Sequence, residues 1–117
     1  MNEKSETNQN IQTTEPKFWY VYMIRCEDNS IYTGITTDLN RRYNEHEKGV
    51  GAKYTKQRKP VQIEKFFWVK NRSEASRLEW FIKKLSKKEK EFIIFCEKNQ
   101  KNFIKNAEIK LNIKINL

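Results

Sequence analysis

FWYVYMIRCEDNSIYTGIT, residues 18–36, is the stretch that decides the fold. Residues 18–25 are dense in aromatic and β-branched side chains, and residues 31–36 repeat that character after the polar segment 27–30. Two such runs joined by a short polar segment predict a β-hairpin. We expect both of its strands to be well buried.

The chain downstream of the hairpin predicts a helix, a loop and a third strand. Asp38 is a suitable N-cap for a helix over residues 39–48, and the glycines at 49 and 51 would end that helix. Residues 49–60 read as a basic loop. Residues 61–69 are rich in apolar side chains and predict the third strand.

Two further helices follow the third strand. Ser73 can cap the first of them, in which Ala75, Leu78 and Ile82 recur at helical spacing. The sequence SKKE at residues 86–89 has the form of a capping box, so another helix should begin there. The predicted fold class is α+β, with a small three-stranded antiparallel sheet flanked by helices. Trp68 and Trp80 are assigned to the core.

At 117 residues the chain fits one domain with tails. The polar residues 1–16 predict a disordered leader, residues 17–97 the folded domain, and residues 98–117 a C-terminal extension. Residues 109–117 alternate apolar side chains with Lys or Asn, which is typical of a one-faced strand. Such a strand could extend a sheet edge of this chain or of a second copy, or the extension could simply dangle. The oligomeric state is therefore left open.

The charge balance favours a polyanionic partner. Lys and Arg number 24 against 15 Asp and Glu, giving a formal net charge of +9. Nucleic acid, DNA in the first place, is favoured over a membrane, because no apolar run approaches a spanning length. Without a secretory signal in the first fifteen residues, we expect a cytoplasmic protein, in which Cys26 and Cys96 are reduced thiols.

Five side chains of four chemical types occur in an unusual order along the chain: Tyr22, Tyr32, Arg42, His46 and Glu79. A metal-assisted phosphodiester hydrolase needs a group that orients or deprotonates water, a cation that neutralises the phosphorane, and a ligand for a divalent metal. Phenol, imidazole, guanidinium and carboxylate can supply these functions. The order of these residues therefore indicates a candidate catalytic site.

The motifs around these residues resemble the GIY-YIG nuclease superfamily. The likeness covers residues 18–85 and rests on Val21-Tyr22, Tyr32-Thr33-Gly34, Asp38-Leu39 with Arg42 and His46, and Glu74-Ala75 with Leu78-Glu79. The sequences GAKYT at 51–55 and RSEA at 72–75 look like the small stand-alone bacterial branch of that superfamily. That branch is related to the N-terminal nuclease domain found in the incising component of the bacterial excinuclease ABC.

The resemblance implies a divalent-metal-dependent endonuclease acting on DNA, either selective for substrate structure or directed by a protein partner. It implies that Tyr22 and Tyr32 lie side by side, with Tyr32 the general base and His46 a possible proton acceptor. Arg42 would bind phosphate oxygens, and Glu79 would hold a single Mg²⁺ or Mn²⁺. The alternative is a nucleic-acid-binding module of the same fold that cleaves slowly or not at all.

The site residues also have plain structural alternatives. Arg42 could pair with Glu45 or Glu47 on the surface, and Glu79 could pair with Lys83. Ile35 stands where some family members carry a lysine that assists at phosphate. Contact with the nucleic-acid backbone is predicted for a basic cluster, Lys53, Tyr54, Lys56, Arg58 and Lys59. Substrate structure, DNA against RNA, and a role in DNA repair or another pathway are not encoded in these motifs.

Overall fold

A computed structural model describes residues 18–117 of the chain. Three strands, β1 (Trp19–Cys26), β2 (Ile31–Thr36) and β3 (Pro60–Val69), form one antiparallel sheet in the order β2-β1-β3. The helices around it are α1 (Leu39–Glu47), α2 (Lys53–Gln57), α3 (Arg72–Lys83), α4 (Lys87–Phe95) and α5 (Glu97–Leu111). The predicted α+β class, with a three-stranded antiparallel sheet flanked by helices, is confirmed.

Alternate residues of β1 face two separate apolar clusters, as the period of two in a strand requires. Val21 and Met23 are fully buried in the larger cluster, to which α3, α4 and α5 contribute. Tyr22, Ile24 and Cys26 point to the other face, where side chains of α1 and α2 cover them. Helices α1 and α3 thus lie on opposite faces of the sheet, in which β2 and β3 are the edge strands.

The first helix forms as predicted, but the basic loop after it is partly helical. The Asp38 side chain accepts a hydrogen bond from the Arg41 backbone N–H, and Gly49 takes the left-handed conformation with φ 76° just after the helix end. The prediction of a continuous loop over residues 49–60 is wrong, because residues 53–57 form α2. This helix has no side-chain cap and covers five residues, so its sequence signal is weak.

Two expectations about α3 are corrected by the structure. Its N-cap is Asn71, whose side chain accepts from the Glu74 N–H at 2.9 Å, so the helix begins before the predicted cap at Ser73. Trp80 is 57% exposed instead of buried, because it lies outside the stripe that packs on the sheet. The predicted capping box of α4 is confirmed, with Ser86 and Glu89 each bonded to the other's backbone N–H.

The C-terminal extension is a helix over most of its length, so the predicted strand over residues 109–117 is wrong. Phe103 and Ala107 lie one turn apart and pack into the larger cluster, and this burial at helical spacing outweighs the local alternation. Only residue 116 pairs with the sheet, through an isolated antiparallel bridge to Trp68. Ile113 and Ile115 are buried, so residues 98–117 do not dangle and share the core of the domain.

The predicted leader, residues 1–16, lies outside the described residues. Among the helices of residues 18–117, none has the length and apolar character needed to cross a membrane.

Candidate active site

A buried chain of hydrogen bonds lies between the sheet and α1. Tyr22 Oη is 2.8 Å from His46 Nε2, and His46 Nδ1 is 2.6 Å from Thr55 Oγ1. The Thr55 hydroxyl donates to the carbonyl oxygen of Ala52 at 2.9 Å. Because that hydroxyl has used its proton, it accepts from the Nδ1–H of His46, and Nε2 is left to accept from the Tyr22 hydroxyl. One neutral tautomer therefore satisfies all three groups.

Burial fixes the protonation states in this chain. Desolvation, with the Arg42 guanidinium adding to it, lowers the pKa of His46 to about 4. Desolvation also raises the pKa of Tyr22, the Tyr32 phenol raises it further, and Arg42 opposes the shift. Near neutral pH, His46 is a neutral imidazole and Tyr22 keeps its phenolic proton.

Two glycines make room for this arrangement. Gly34 lies directly opposite Tyr22 in the hairpin, and a Cβ at Gly34 would lie 2.5 Å from Tyr22 Oη and 2.8 Å from its Cζ. A Cβ at Gly51 would meet three atoms of the His46 ring, with Cγ and Cε1 at 3.0 Å. Real Cβ atoms do not approach other atoms so closely, so both positions require the absence of a side chain.

The second tyrosine of the hairpin lies at the rim of the buried chain. The half-buried Tyr32 ring is 6.2 Å from that of Tyr22 and 5.2 Å from that of His46, between centroids. Its outer neighbours are the Tyr54 ring at 5.6 Å and the Lys83 ammonium at 5.8 Å. The two tyrosines are thus neighbours, and Tyr32 is the more accessible of the pair.

Arg42 on α1 and Glu79 on α3 bring opposite charges toward the two tyrosines. Arg42 lies one turn before His46, which is hydrogen-bonded to Tyr22, and the Lys83 partner of Glu79 lies 5.8 Å from the Tyr32 ring. The Arg42 guanidinium lowers the pKa of Tyr22, and the Glu79 carboxylate raises it. Both also make the structural pairs considered above: Arg42 donates to Glu45 at 2.8 Å, and Glu79 pairs with Lys83 at 3.3 Å. Their side chains are 30% and 23% exposed, so both can be reached from solvent.

The predicted nucleic-acid-binding residues occupy α2 and the loop that leads to β3. Lys53, Lys56 and Lys59 are exposed. The Arg58 guanidinium lies 4.3 Å above the Tyr54 ring and donates to Asp28 at 3.0 Å. Because Tyr54 in turn contacts Tyr32, the basic cluster is continuous with the rim of the site.

The donor chemistry at Glu79 is compatible with a hard divalent cation. No group of three or more His, Cys, Asp or Glu side chains suitable for a metal occurs among residues 18–117. Mg²⁺ does not require such a group, because it is commonly held by one or two carboxylates, with water and substrate phosphates completing the octahedron. The carboxylate of Glu79 is 23% exposed, and its partner Lys83 lies 5.8 Å from the Tyr32 ring, so its position suits that mode of binding.

The GIY-YIG catalytic domain family matches residues 18–92, which include all of these side chains. The chain belongs to the GIY-YIG family. Among its relatives is a UPF0213 protein of Fusobacterium nucleatum, 50% identical over 97 residues, which are 83% of this chain and 94% of that protein. The UPF0213 protein YazA of Bacillus subtilis is 40% identical over 85 residues, covering 73% of this chain and 86% of YazA.

A solved structure is also similar to this GIY-YIG protein. The solution NMR structure of the UPF0213 protein BH0048 from Bacillus halodurans is 38% identical, covers 71% of this chain and 93% of that chain, and has a TM-score of 0.44. Membership of a family of nuclease domains supports an endonuclease-type function with a nucleic-acid substrate.

Two contributors to this GIY-YIG site were not assigned a role from the sequence. Thr55 completes the hydrogen bonds of His46, and Gly51 provides the space for its ring. Both belong to the GAKYT segment that carries the resemblance to the stand-alone branch. A threonine four positions after a glycine is a common pattern. It could not reveal that Thr55 bonds to His46, nine residues earlier in the chain.

Proposed function

We propose that this protein is a divalent-metal-dependent endonuclease that hydrolyses phosphodiester bonds in DNA. The observation that carries the proposal is the set of contacts that connects Tyr22 and Tyr32 to the charged residues of α1 and α3. The two phenol rings lie 6.2 Å apart, Tyr22 is bonded to His46 one turn after Arg42, and the Lys83 partner of Glu79 lies 5.8 Å from the Tyr32 ring. A phenol, a guanidinium and a carboxylate can serve a water nucleophile, a phosphorane and a metal, respectively.

The two tyrosines have different tasks in this proposal. Tyr22 is a positioning residue, since burial raises its pKa and its hydroxyl donates a hydrogen bond to His46 while keeping its proton. Tyr32 would act as the general base in its phenolate form, with its own proton released to solvent, because it lies at the rim of the buried chain and takes no part in that chain's hydrogen bonds. His46 and Thr55 hold the Tyr22 ring in place. The rings against which Tyr32 packs therefore keep a fixed position.

The charged residues act on the phosphate and on its leaving group. Arg42 exchanges the carboxylate of Glu45 for non-bridging phosphate oxygens, to which a guanidinium can donate two parallel hydrogen bonds. Glu79, which now pairs with Lys83, would hold the Mg²⁺ or Mn²⁺, and the ion would supply Lewis-acid stabilisation of the leaving oxygen.

Substrate binding in this proposal begins at the basic cluster of α2. Phosphate contacts by Lys53, Lys56 and Lys59 fix the position of a strand without reading its bases. Tyr54 and Arg58 link that cluster to Tyr32, so a strand held there is led to the catalytic residues. Selection among DNA substrates then comes from their shape or from a protein partner.

The test is cleavage of nicked, flapped, branched and plain DNA and RNA by pure protein with Mg²⁺ or Mn²⁺. We expect cleavage that is lost in Glu79→Ala and Tyr32→Phe and kept in Glu97→Ala, a matched control that removes an exposed carboxylate at the start of α5. Cleavage that survives Glu79→Ala would refute the proposed site.

A second candidate function is a nucleic-acid-binding module that cleaves slowly or not at all. The observation in its favour is that Arg42 and Glu79 already have side-chain partners, at 2.8 Å and 3.3 Å. Salt-sensitive binding without metal-dependent cleavage on any of these substrates would select this candidate.

A further inference from the structure

The two ends of the edge strand β2 adjoin different sets of side chains. At one end, Lys83 and Tyr54 adjoin the Tyr32 ring, and this end leads to the basic cluster of α2. At the other end, where β2 runs into α1, Arg42 forms part of a pocket, and the proposed chemistry assigns no substrate contact to the other residues that line it. A substrate strand that continued along β2 past the catalytic residues would reach this second pocket.

This pocket has a volume of about 230 Å³. It is lined by Trp19, Ile35, Thr36, Thr37, Arg41, Arg42 and Glu45. One wall is apolar, formed by the Trp19 indole and the Ile35 side chain, while α1 supplies two guanidinium groups. A third guanidinium, that of Arg72 on α3, lies 5.7 Å above the Trp19 ring. A nucleotide has the same two-sided character, with an apolar sugar and base edge beside an anionic phosphate.

The pocket already holds one anion, the carboxylate of Glu45. Its two oxygens pair separately with two guanidinium groups, one at 2.8 Å from Arg42 and the other at 3.8 Å from Arg41. Arg42 is the main cause of the lowered pKa of Glu45. A carboxylate held between two guanidinium groups occupies a position that suits a phosphate, which carries at least as much charge and more acceptor oxygens.

Resting on the proposed function, we infer that this pocket binds the nucleotide next to the scissile phosphodiester, on the side away from the basic cluster of α2. Its phosphate displaces Glu45 from Arg41, and its sugar packs against Trp19. Ile35 lines the same pocket as Arg41 but brings no charge to it. Arg41 therefore supplies the cation at this end of the site.

Binding measurements in the Glu79→Ala background test this inference without cleavage. Affinity for a fluorescently labelled DNA duplex is measured by anisotropy from 50 to 200 mM salt. The variant is Arg41→Ala, and the matched control is Lys110→Ala, which removes an exposed cation from the last turn of α5. Arg41 is 59% exposed and makes only a long surface pair, so its removal should leave the fold intact.

One lost phosphate contact reduces the slope of log K against log salt by about 0.9 and weakens binding about fivefold at 0.15 M salt. We expect this change for Arg41→Ala and little change for Lys110→Ala. Glu45→Gln should bind more tightly than the parent, because the competing carboxylate charge is gone. In the cleaving protein, Arg41→Ala should raise KM more than it lowers kcat.

The outcomes separate this inference from the proposed function. If Arg41→Ala and Lys110→Ala have the same affinity and salt slope while the parent binds DNA, the pocket is not a phosphate subsite and the endonuclease proposal stands. Weaker binding by Glu45→Gln would also overturn the inference, because it would show that the carboxylate assists the substrate. If the parent has no affinity for DNA, both proposals fail.

Discussion

The protonation of His46 should make the stability of this protein depend on pH in a window where few other groups titrate. His46 is the only histidine of the chain, and its side chain is fully buried. Its pKa falls from an ordinary 6.5 to about 4 because burial disfavours the imidazolium. As the pH falls, the unfolded chain therefore takes up a proton near pH 6.5, whereas His46 in the folded protein stays neutral until about pH 4. Because this protonation favours the unfolded state, the free energy of unfolding must fall as the pH is lowered.

The size of the effect follows from the two pKa values. Linkage gives a loss of about 2 kcal/mol in the free energy of unfolding between pH 7.5 and pH 5, approaching about 3 kcal/mol at lower pH. Glu91, whose pKa the Arg25 guanidinium lowers to about 2, begins to add its own loss only as the pH approaches the ordinary glutamate range. The interval from pH 7.5 to pH 5 thus isolates the histidine.

Urea denaturation of the wild type and of His46→Gln at half-unit pH steps measures this effect. Glutamine retains hydrogen-bonding capacity but does not titrate, so the variant should be less stable at pH 7.5 and nearly independent of pH down to pH 5. The imidazole resonances of the wild type should show no titration above pH 5. A flat wild-type profile, or an equal slope in His46→Gln, would refute the buried neutral imidazole.

Three further substitutions test the packing around the site. Tyr22→Phe leaves His46 Nε2 without its donor and should cost about 1–3 kcal/mol in urea denaturation, and an unchanged midpoint would contradict the hydrogen bond. Gly34→Ala places a methyl group against Tyr22 and should cost about 1–3 kcal/mol and most of the cleavage activity, and full activity would show that the ring can move freely. Arg25→Ala removes the guanidinium that lies 2.8 Å from the Glu64 carboxylate and 2.6 Å from that of Glu91. It leaves Glu64 without a cationic partner and Glu91 with Lys87 alone, and should cost about 2 kcal/mol. A loss below about 1 kcal/mol would show that these contacts contribute no more than an exposed surface ion pair.

The sequence predicted the elements whose signals are local and repeated. The hairpin was recognisable because two apolar runs flank a polar turn, and the α4 capping box because Ser86 and Glu89 stand three residues apart. The five candidate catalytic residues were proposed because their order is unusual. The rings of Tyr22, Tyr32 and His46 lie 5.2–6.2 Å from one another, and the Lys83 partner of Glu79 lies 5.8 Å from the Tyr32 ring. Their catalytic roles remain predictions.

The sequence failed where distant contacts decide the outcome. Residues 109–111 alternate like a strand, yet they end a helix whose inward face is set by Phe103 and Ala107, about two turns and one turn earlier. Trp80 was assigned to the core by its size alone, although its place on α3 turns it outward. Thr55 had no local signal, since its partner is fixed by the packing of α2 against α1.

The buried chain from Tyr22 to Thr55 explains how a small domain can hold an arginine in position near its surface. His46 lies one turn after Arg42 on α1, and its ring is bonded on one side to β1 and on the other side to α2. A buried polar network in which every group is hydrogen-bonded rigidifies the residues around it, because hydrogen bonds are stronger where the local dielectric is low. The helix that carries Arg42 therefore cannot easily rotate or slide. The Arg42 guanidinium itself stays partly exposed, so it can exchange partners while the backbone of its helix stays in place. Substitutions at Thr55, which lies outside the cleft, should therefore alter catalysis through the position of Arg42.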